Sequence, residues 1–370
     1  MAINKTLFDF LQPLALGSFR NWVELLVQNK VDDPYIARAA FVTLTSLATS
    51  PLRLYEWLRY GRQVEKTEIV EAPIFIIGHW RSGTTHLHNL MCLDQQLGYV
   101  TTLQTIAPQA FLVGEKTVKS WIARLLPPTR VMDNMSWSLD GPQEEEFAIA
   151  NISPYSFYHH WSFPRRVSEY FEKYALFRGV SEAILTRWKR IYLYILRKAT
   201  LHMGNRRLVL KNPTNTGRIG VLLELFPDAK FIHLHRNPYR VFQSTRHLYH
   251  KTLSVTQLQE ISQEEIDAVI LSVYRDLMRR FLEEKSGIPH ENLVEVRFEE
   301  LETKPIDQLQ RIYSELSLPG FEGVQPIFKS YLTERINYKK NAYPPLEEEV
   351  VDKINREWRF AIEAWGYVRE

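Results

Sequence analysis

The feature that most constrains this 370-residue chain is an apolar run, a glycine-framed loop and a helix-forming segment in direct succession. Ile74–Ile77 lies between a proline and a glycine, and an apolar run of this length with such flanks predicts a buried strand. The following loop has Gly78 and Gly83 separated by four residues, and Thr84 and Thr85 come directly after it. This spacing is typical of loops that bind phosphate with backbone N–H groups at a helix N-terminus.

Strands and helices continue to alternate along the chain. Short, mainly apolar runs at 208–210 and 231–234 predict two further strands, and the segment 293–298 predicts a fourth. The predicted helices are residues 85–94, 143–149, 181–201, 218–226, 239–250 and 346–365. Strands that alternate with helices form a parallel sheet covered on both faces. We therefore predict an α/β fold, with a P-loop-like central parallel sheet flanked by helices, a helical N-terminal extension and a C-terminal helix.

The segment before the first strand reads as helical throughout. Residues 1–70 are predicted to form a helical extension packed on the core, and residues 71–370 a single P-loop-like α/β domain. The apolar residues at helical spacing in the extension are Leu7, Phe10, Leu11 and Leu14, followed by Leu54, Tyr55 and Leu58. Packing of these residues on the core is the plainer interpretation. The alternative is a surface that touches a membrane or a hydrophobic substrate.

Thr84 distinguishes the loop from that of nucleotide triphosphatases. Those loops place a lysine directly after the second glycine, where it reaches the β- and γ-phosphates. Here the position holds Thr84, and the cation lies inside the loop at Arg81. Such a loop suits a 5′-phosphate that carries one further anionic group. The rival interpretation is a P-loop kinase or related phosphotransferase, which would need a loop lysine and magnesium ligands.

A second anion site is predicted after the third strand. Arg236 follows that strand directly, and the carboxyl ends of strands are where open α/β sheets bind ligands. Its guanidinium offers a fork of donors for phosphate, and Ser244, eight residues further on, adds a hydroxyl. The alternative is an ordinary ion pair at a helix start. Together, the two sites describe a ligand with phosphate groups at two separate places.

These two motifs resemble those of the sulfotransferase family, and their residues are most similar to those of its broad bacterial branch. Arg81 to Thr85 resembles the 5′-phosphosulfate loop, and Arg236 to Pro238 with Ser244 resembles the 3′-phosphate motif, within a match that covers about residues 72–300. The resemblance implies a donor, 3′-phosphoadenosine-5′-phosphosulfate (PAPS), its product PAP, and no metal. The donor-binding residues that it implies are Arg81, Ser82, Gly83, Thr84, Thr85, Arg236 and Ser244.

Arg81 and Lys211 are the predicted catalytic cations. Sulfuryl transfer needs charge stabilisation at the transferring group, which cationic side chains supply. Lys211 follows the strand at 208–210 directly, and the resemblance implies that a lysine there stabilises the leaving oxygen. Residues 183–223 contain nine Lys or Arg and no Asp or Glu, which fits a face turned towards a polyanion.

Glu144 and Glu145 are the first candidates for the base that accepts the acceptor's proton. They belong to Pro142–Ile149, which resembles an acidic stretch of the same branch but also reads as a plain helix start favoured by the helix dipole. The resemblance also offers a base shortly after the loop helix, where some members of the family have a glutamate. The stretch at that place here, Thr101–Gln104, contains no acid, which disfavours this option. Weaker candidates are His79, His86, His88, His159 and His160. The basic segment 338–341 is a candidate to close over the donor's 3′-phosphate.

The remaining composition sets limits on partners and compartment. A net charge of +3 argues against nucleic acid as a partner of the whole chain, and the single cysteine, Cys92, favours a reducing cytoplasm. Ala39–Leu52, the uncharged stretch near the N-terminus, has 14 residues, too few to span a bilayer. Aromatic residues make up 12%, which favours a hydrophobic alcohol as acceptor, such as a lipid, steroid or polyketide-like hydroxyl. A carbohydrate or a small phenol is the alternative acceptor. A non-catalytic module that binds a nucleotide or a membrane surface is the alternative function.

Overall fold

A computed structural model describes residues 12–125, 138–334 and 343–369. By its internal contacts the chain forms two compact units. Unit 1 comprises residues 1–70, 99–205 and 248–266, and unit 2 comprises residues 71–98, 206–247 and 267–370. The segment 1–70 thus groups with two later stretches of the chain.

Unit 2 contains a parallel sheet of five strands. The strands are β1 (Ile74–Gly78), β2 (Leu97–Gly98), β3 (Arg207–Lys211), β4 (Lys230–His235) and β5 (Leu293–Arg297), in the order β2-β3-β1-β4-β5. All neighbours pair in parallel, with Ile76 opposite Lys211 on β3 and Gly78 opposite Leu234 on β4. The central position of β1 places the loop after Gly78 between the carboxyl ends of β3 and β4.

The four strands predicted from apolar runs are confirmed, and β2 is an addition. Every residue of β1 is buried, as are the four central residues of β4, because helices flank the sheet. β2 has only two residues, so its sequence carries no strand periodicity. The observed fold is therefore the predicted α/β class.

Helices cover much of the rest of both units. They are α1 (Phe19–Gln28), α2 (Ile36–Ala48), α3 (Ser50–Lys66), α4 (Thr84–Met91), α5 (Thr102–Ile106), α6 (Phe111–Leu125), α7 (Glu146–Ile152), α8 (Val167–Tyr170), α9 (Glu182–His202), α10 (Ile219–Leu225), α11 (Pro238–Thr256), α12 (Gln263–Glu284), α13 (Phe298–Thr303), α14 (Pro305–Glu315), α15 (Phe321–Glu334), α16 (Glu348–Glu357) and α17 (Arg359–Ala364). The unit boundaries at 247/248 and 266/267 fall within α11 and α12.

The C-terminal tail differs from the single predicted helix over 346–365. It forms α16 and α17, which are separated at Trp358. The Trp358 side chain is fully buried, and its indole N–H donates to the carbonyl of Leu271 at 2.9 Å. The helical end predicted at Gly366 is confirmed, since this glycine has a φ of 63°.

The described part of unit 1 is mainly helical, and aromatic stacking is one of the contacts within it. Trp22 on α1 stacks on Phe163 with ring centroids 6.4 Å apart, and Trp188 stacks on Tyr192 within α9 at 4.8 Å. Ser18 begins α1 as an N-cap, with its hydroxyl accepting from the Asn21 N–H at 3.4 Å. Trp22 and Trp188 are both fully buried.

The apolar residues of the extension that were predicted to pack on the core differ in their exposure. Leu7, Phe10 and Leu11 lie outside the described residues, and Leu14 is buried in a turn. The prediction that Leu54, Tyr55 and Leu58 pack on the core is wrong, because these side chains of α3 are 57%, 56% and 68% exposed. The buried face of α3 instead carries Glu56 and Val64. None of the helices in the described ranges is long and apolar enough to cross a membrane.

Candidate functional site

The loop after β1 is shaped by close backbone approach. Gly78 has a φ of 132°, and a Cβ there would lie 2.2 Å from the carbonyl oxygen of Leu234 on β4. Thr216 fixes the same residue from the other side, because its hydroxyl accepts from the Gly78 N–H at 2.8 Å and donates to the Gly78 carbonyl at 3.2 Å. Glycine is therefore required where the chain leaves the sheet.

The far end of the loop is equally constrained. Gly83 has a φ of 92° and precedes α4, and a Cβ there would lie 2.0 Å from the ring of Phe298. Arg81 has a φ of 70°, which is uncommon for a residue other than glycine and costs on the order of 1–3 kcal/mol. The loop thus holds a backbone conformation that the rest of unit 2 must stabilise.

Helix α4 presents an unfilled N-terminus to this loop. Its first turn, Thr84 to Leu87, contains no acidic residue. The first intrahelical bonds are those from His86 and Leu87 to the Gly83 carbonyl, so the earlier N–H groups have no partner within the helix. Orphan N–H groups and the positive end of the helix dipole favour an anion at this position.

Arg81, Ser244 and Arg236, which belong to the two predicted motifs, contact one another beside the loop. The Arg81 Nε donates to the Ser244 hydroxyl at 2.8 Å, and an Arg236 guanidinium nitrogen donates to the Arg81 carbonyl at 3.1 Å. Ser244 is buried on α11, and both arginines are half-buried. The donor set therefore consists of two guanidinium groups, a hydroxyl and the backbone N–H groups of a helix start.

The pKa of Arg236 reflects a second positive charge, that of Arg81, beside the loop. Burial lowers the pKa of Arg236, the charge of Arg81 lowers it further, and Glu302 and Glu299 oppose the shift. The guanidinium also lies over the ring of Phe298, 4.4 Å from its centroid. Two like charges held close together favour the binding of an anion between them.

Lys211 lies on the same edge of the sheet. It ends β3, is 2% exposed, and is in register with Ile76 on β1, two residues before Gly78. Burial lowers the pKa of His88 on α4 to about 3, and the charge of Lys211 adds to this effect. Lys211 therefore lies at the carboxyl end of its strand and close to helix α4.

The segment after residue 342 contacts the second motif. The Tyr343 hydroxyl lies 3.0 Å from the Ser244 hydroxyl, and Gln243 donates to the Pro344 carbonyl at 2.8 Å. Arg246 forms an ion pair with Glu347 at 3.2 Å. The basic segment 338–341 itself lies outside the described residues.

The three acids predicted near the start of a helix lie in unit 1 and differ in their surroundings. Glu145 is fully buried and accepts from the Tyr192 hydroxyl at 2.9 Å. Glu146 is also fully buried and accepts from the Ser156 hydroxyl at 2.7 Å and from the Phe157 N–H at 3.2 Å. Glu144 is half-buried and accepts a short hydrogen bond from the Tyr158 hydroxyl. Among the three, Glu144 is the carboxylate with access to solvent.

Four of the five candidate histidines have a structural role in common. In each, one ring N–H donates to a backbone carbonyl: His79 to Trp80, His88 to Val209, His159 to Ser153 and His160 to Phe157, at 2.7–3.3 Å. Burial lowers the pKa of His79 and His159 to about 4 and that of His160 to about 3. Their burial and these hydrogen bonds disfavour the four histidines as the base, and they do not bear on His86, which is partly exposed.

Comparison with known proteins identifies the family. The sequence model of the sulfotransferase family matches residues 73–323. The curated protein Stf3 of Mycobacterium bovis, described as an omega-hydroxy-beta-dihydromenaquinone-9 sulfotransferase, is 35% identical over 98% of this chain and 93% of its own length. The chain belongs to the sulfotransferase family.

Solved structures of sulfotransferases share this fold. STF9 from Mycobacterium avium matches 96% of this chain and 98% of its own with a TM-score of 0.66, at 18% identity. STF1 from Mycobacterium tuberculosis matches 95% of this chain and 93% of its own with a TM-score of 0.62, at 16% identity. The predicted family membership and fold class are both confirmed.

Three residues of this sulfotransferase's candidate site were not predicted from its motifs. Thr216 fixes Gly78, Phe298 packs on Gly83 and Arg236, and Tyr343 contacts Ser244. Phe298 was open to prediction, because it directly follows β5 and strand ends lie along one edge of a parallel sheet. Thr216 and Tyr343 carry no such signal in the sequence.

Proposed function

We propose that this sulfotransferase moves a sulfuryl group from PAPS to the hydroxyl of a hydrophobic, lipid-like alcohol. The observation that carries the proposal is the cluster of Arg81, Ser244 and Arg236 beside a phosphate loop with Thr84 where triphosphatases have lysine. Membership of the family supports the sulfuryl transfer, and the similarity to Stf3 supports the kind of acceptor.

The residues of unit 2 fit a donor with two anionic ends. Loop residues Arg81 to Thr85, with the N-terminus of α4, would hold the 5′-phosphosulfate, and Arg236 with Ser244 would hold the 3′-phosphate. The fit rests on chemistry, since guanidinium forks, hydroxyls and backbone N–H groups are all donors and phosphate oxygens are acceptors. Tyr343 adds a further hydroxyl at Ser244.

When bound, PAPS would supply an activated sulfuryl group with a phosphate as leaving group. The task of the chain's own residues is then to stabilise negative charge at the leaving oxygen and to accept the proton of the acceptor hydroxyl. Arg81 and Lys211 carry out the first of these tasks. Glu144 is our candidate for the second, because it is the acid of the 144–146 segment that is half-exposed.

The acceptor assignment extends what the relative's name states. Stf3 is named for a hydroxylated dihydromenaquinone, which is a lipid with a hydroxyl group. An identity of 35% over nearly the whole of both chains is high enough to propose the same substrate class here. A long-chain isoprenoid or other lipid alcohol is therefore the acceptor that we propose first.

Two measurements test this function. Isothermal titration should give tighter binding of PAP than of ATP, and magnesium or EDTA should leave PAP binding and turnover unchanged. Labelled PAPS offered with an ω-hydroxy polyprenyl quinone, a sterol, a phenol and a sugar should label the quinone or sterol first. Preference for ATP with dependence on magnesium would overturn the proposal in favour of a kinase. Binding of PAP without transfer to any acceptor would favour a non-catalytic module.

A further inference from the structure

A continuous apolar stripe lies on the outside of helices α2 and α3. Of the twelve large apolar side chains that are exposed in the described part of the chain, seven fall within these two helices and are 52–68% exposed. They are Ile36, Leu44, Leu47, Leu54, Tyr55, Trp57 and Leu58. So dense a run of exposed apolar side chains on one short segment points to an interaction surface.

The spacing of these residues forms one helical face that crosses the junction between the two helices. Ile36, Ala40, Leu44, Leu47, Pro51, Leu54 and Leu58 follow one another at intervals of three or four. Only Thr49 separates the two helices: its N–H donates to Thr45 at the end of α2 at 3.1 Å, and its carbonyl accepts from the Arg53 N–H at the start of α3 at 3.3 Å. At 1.5 Å per residue, the stripe covers about 17 Å of α2 and about 11 Å of α3.

The opposite face of the same helices packs inside unit 1. Val42 and Ser46 of α2 and Val64 of α3 are buried. Glu56 of α3 is buried as well, where it pairs with Lys198 of α9 and accepts from the Leu112 N–H at 2.7 Å. One side of α2 and α3 is thus held by the protein, and the apolar side is turned outwards along its whole length.

The charges around the stripe select its partner. Between residues 34 and 64 the single acidic residue is the buried Glu56, whereas Arg59 and Arg62 are exposed next to the apolar residues. At the end of α3, Arg62, Lys66 and Glu68 are among the residues that line a cavity of about 590 Å³, so two cations and one acid face it. A basic edge beside an apolar face complements anionic lipid headgroups above acyl chains, whereas a second copy would bring like charges together.

We propose that the stripe on α2 and α3 docks onto the surface of a bilayer that contains anionic lipids. The leucines enter the acyl region, Tyr55 and Trp57 lie at the interface, and Arg59 and Arg62 bind the headgroups. The arginines attract the anionic surface, and the apolar side chains contribute the burial that holds the stripe there. This inference rests on the exposed stripe and is independent of the proposed donor and acceptor.

Co-sedimentation of the full chain with vesicles tests the docking. We expect binding to phosphatidylcholine vesicles with about 30% phosphatidylglycerol to be at least tenfold tighter than binding to pure phosphatidylcholine. L54S/L58S should weaken binding to the anionic vesicles at least tenfold, and R59Q/R62Q should remove the preference for phosphatidylglycerol. The matched control I327S/V368S exchanges exposed apolar residues elsewhere and should bind like the wild type.

Two outcomes would overturn the proposal. The first is equal binding by the wild type, L54S/L58S and the control, with circular dichroism confirming that all are folded. The second is a dimer of the wild type, seen by sedimentation velocity without vesicles, that L54S/L58S dissociates, because a second copy would then occupy the stripe. Since vesicle binding needs neither PAPS nor acceptor, failure here leaves the sulfuryl-transfer assays unaffected.

Discussion

Two helices of this protein begin in opposite chemical surroundings. Helix α4 starts after Gly83, with Arg81 at the loop and no acid in its first turn. Helix α7 starts at Glu146, directly after Glu144 and Glu145. Both N-termini carry the positive end of a helix dipole and N–H groups without intrahelical partners. The chain supplies carboxylates at one start and cations at the other.

The difference explains why one helix start can serve as a ligand site. At α7, the helix start carries its own acidic residues, although no side chain caps it, and the buried Glu145 and Glu146 accept hydrogen bonds from Tyr192, Ser156 and the Phe157 N–H. At α4, the surrounding guanidinium groups increase the positive potential, so an external anion is favoured. The anion site at α4 is therefore indicated both by its loop motif and by the lack of acidic residues in the first turn of the helix.

The largest effect should come from removing the cations at the α4 start. Arg81→Ala and Lys211→Ala should each lower turnover about 10²- to 10³-fold, because each removes charge stabilisation at the transferring group. Arg81→Lys should recover part of the loss, since it restores the charge without the guanidinium fork. Steady-state transfer from PAPS to a lipid alcohol measures the effect.

Exposed cations of unit 2 provide the control for these variants. Arg279→Ala on α12 and Lys329→Ala on α15 remove the same charges at exposed positions. Both should keep turnover within about twofold of the wild type. Equal losses in the site and control variants would mean that overall charge, rather than Arg81 and Lys211, governs the rate.

The α7 start gives the second prediction, which separates Glu144 from its neighbour. If Glu144 is the base, Glu144→Gln should lower kcat about 10²-fold and leave PAP affinity unchanged, because the amide cannot accept a proton. Glu145→Gln should lower stability more than kcat, since Glu145 is buried against Tyr192. Full activity of Glu144→Gln would place the base elsewhere, and the half-exposed His86 would then be the next candidate.

The third prediction concerns the backbone of the α4 start. Gly83→Ala should weaken PAP binding about tenfold or more, because the new Cβ would lie 2.0 Å from the Phe298 ring and the loop must shift. Titration calorimetry with PAP measures the change. Gly179→Ala is a matched control with a φ of 67° and open space around its Cβ, so it carries the cost of the left-handed conformation without the clash. Similar PAP affinities for the two variants would contradict a constrained loop.

Much of the α4 site could be predicted from the sequence because its residues follow strand ends. Arg81, Lys211 and Arg236 each come shortly after an apolar run, and the parallel strands bring those ends to one edge. The direct contact between Arg81 and Ser244 was not predicted, because the two motifs indicated phosphates at two separate places. The contact between Tyr343 and Ser244 could be found only from the fold, since the two residues are 99 positions apart and Tyr343 carries no motif of its own.

The α7 start was predicted as a helix, but the roles of its acids were not. Three adjacent glutamates are alike in the sequence, and their burial is decided by side chains such as Tyr192, 47 residues away from Glu145. The stripe on α2 and α3 was misjudged for a related reason. Helical periodicity indicates that a face is apolar, but it does not indicate whether the rest of the protein or a lipid bilayer covers that face.

The smallest effect should appear in the stability of the α7 start. Glu146→Gln keeps the size of the side chain but removes the charge that accepts from Ser156 and the Phe157 N–H. Hydrogen bonds to a buried charge are stronger than neutral ones, so the free energy of unfolding in urea should fall by about 1–3 kcal/mol. Glu322→Gln, in the first turn of α15 but exposed, should cost less than about 0.5 kcal/mol. Equal losses in the free energy of unfolding would mean that the helix dipole alone accounts for both acids. The buried hydrogen bonds of Glu146 would then add nothing to the difference between the starts of α7 and α4.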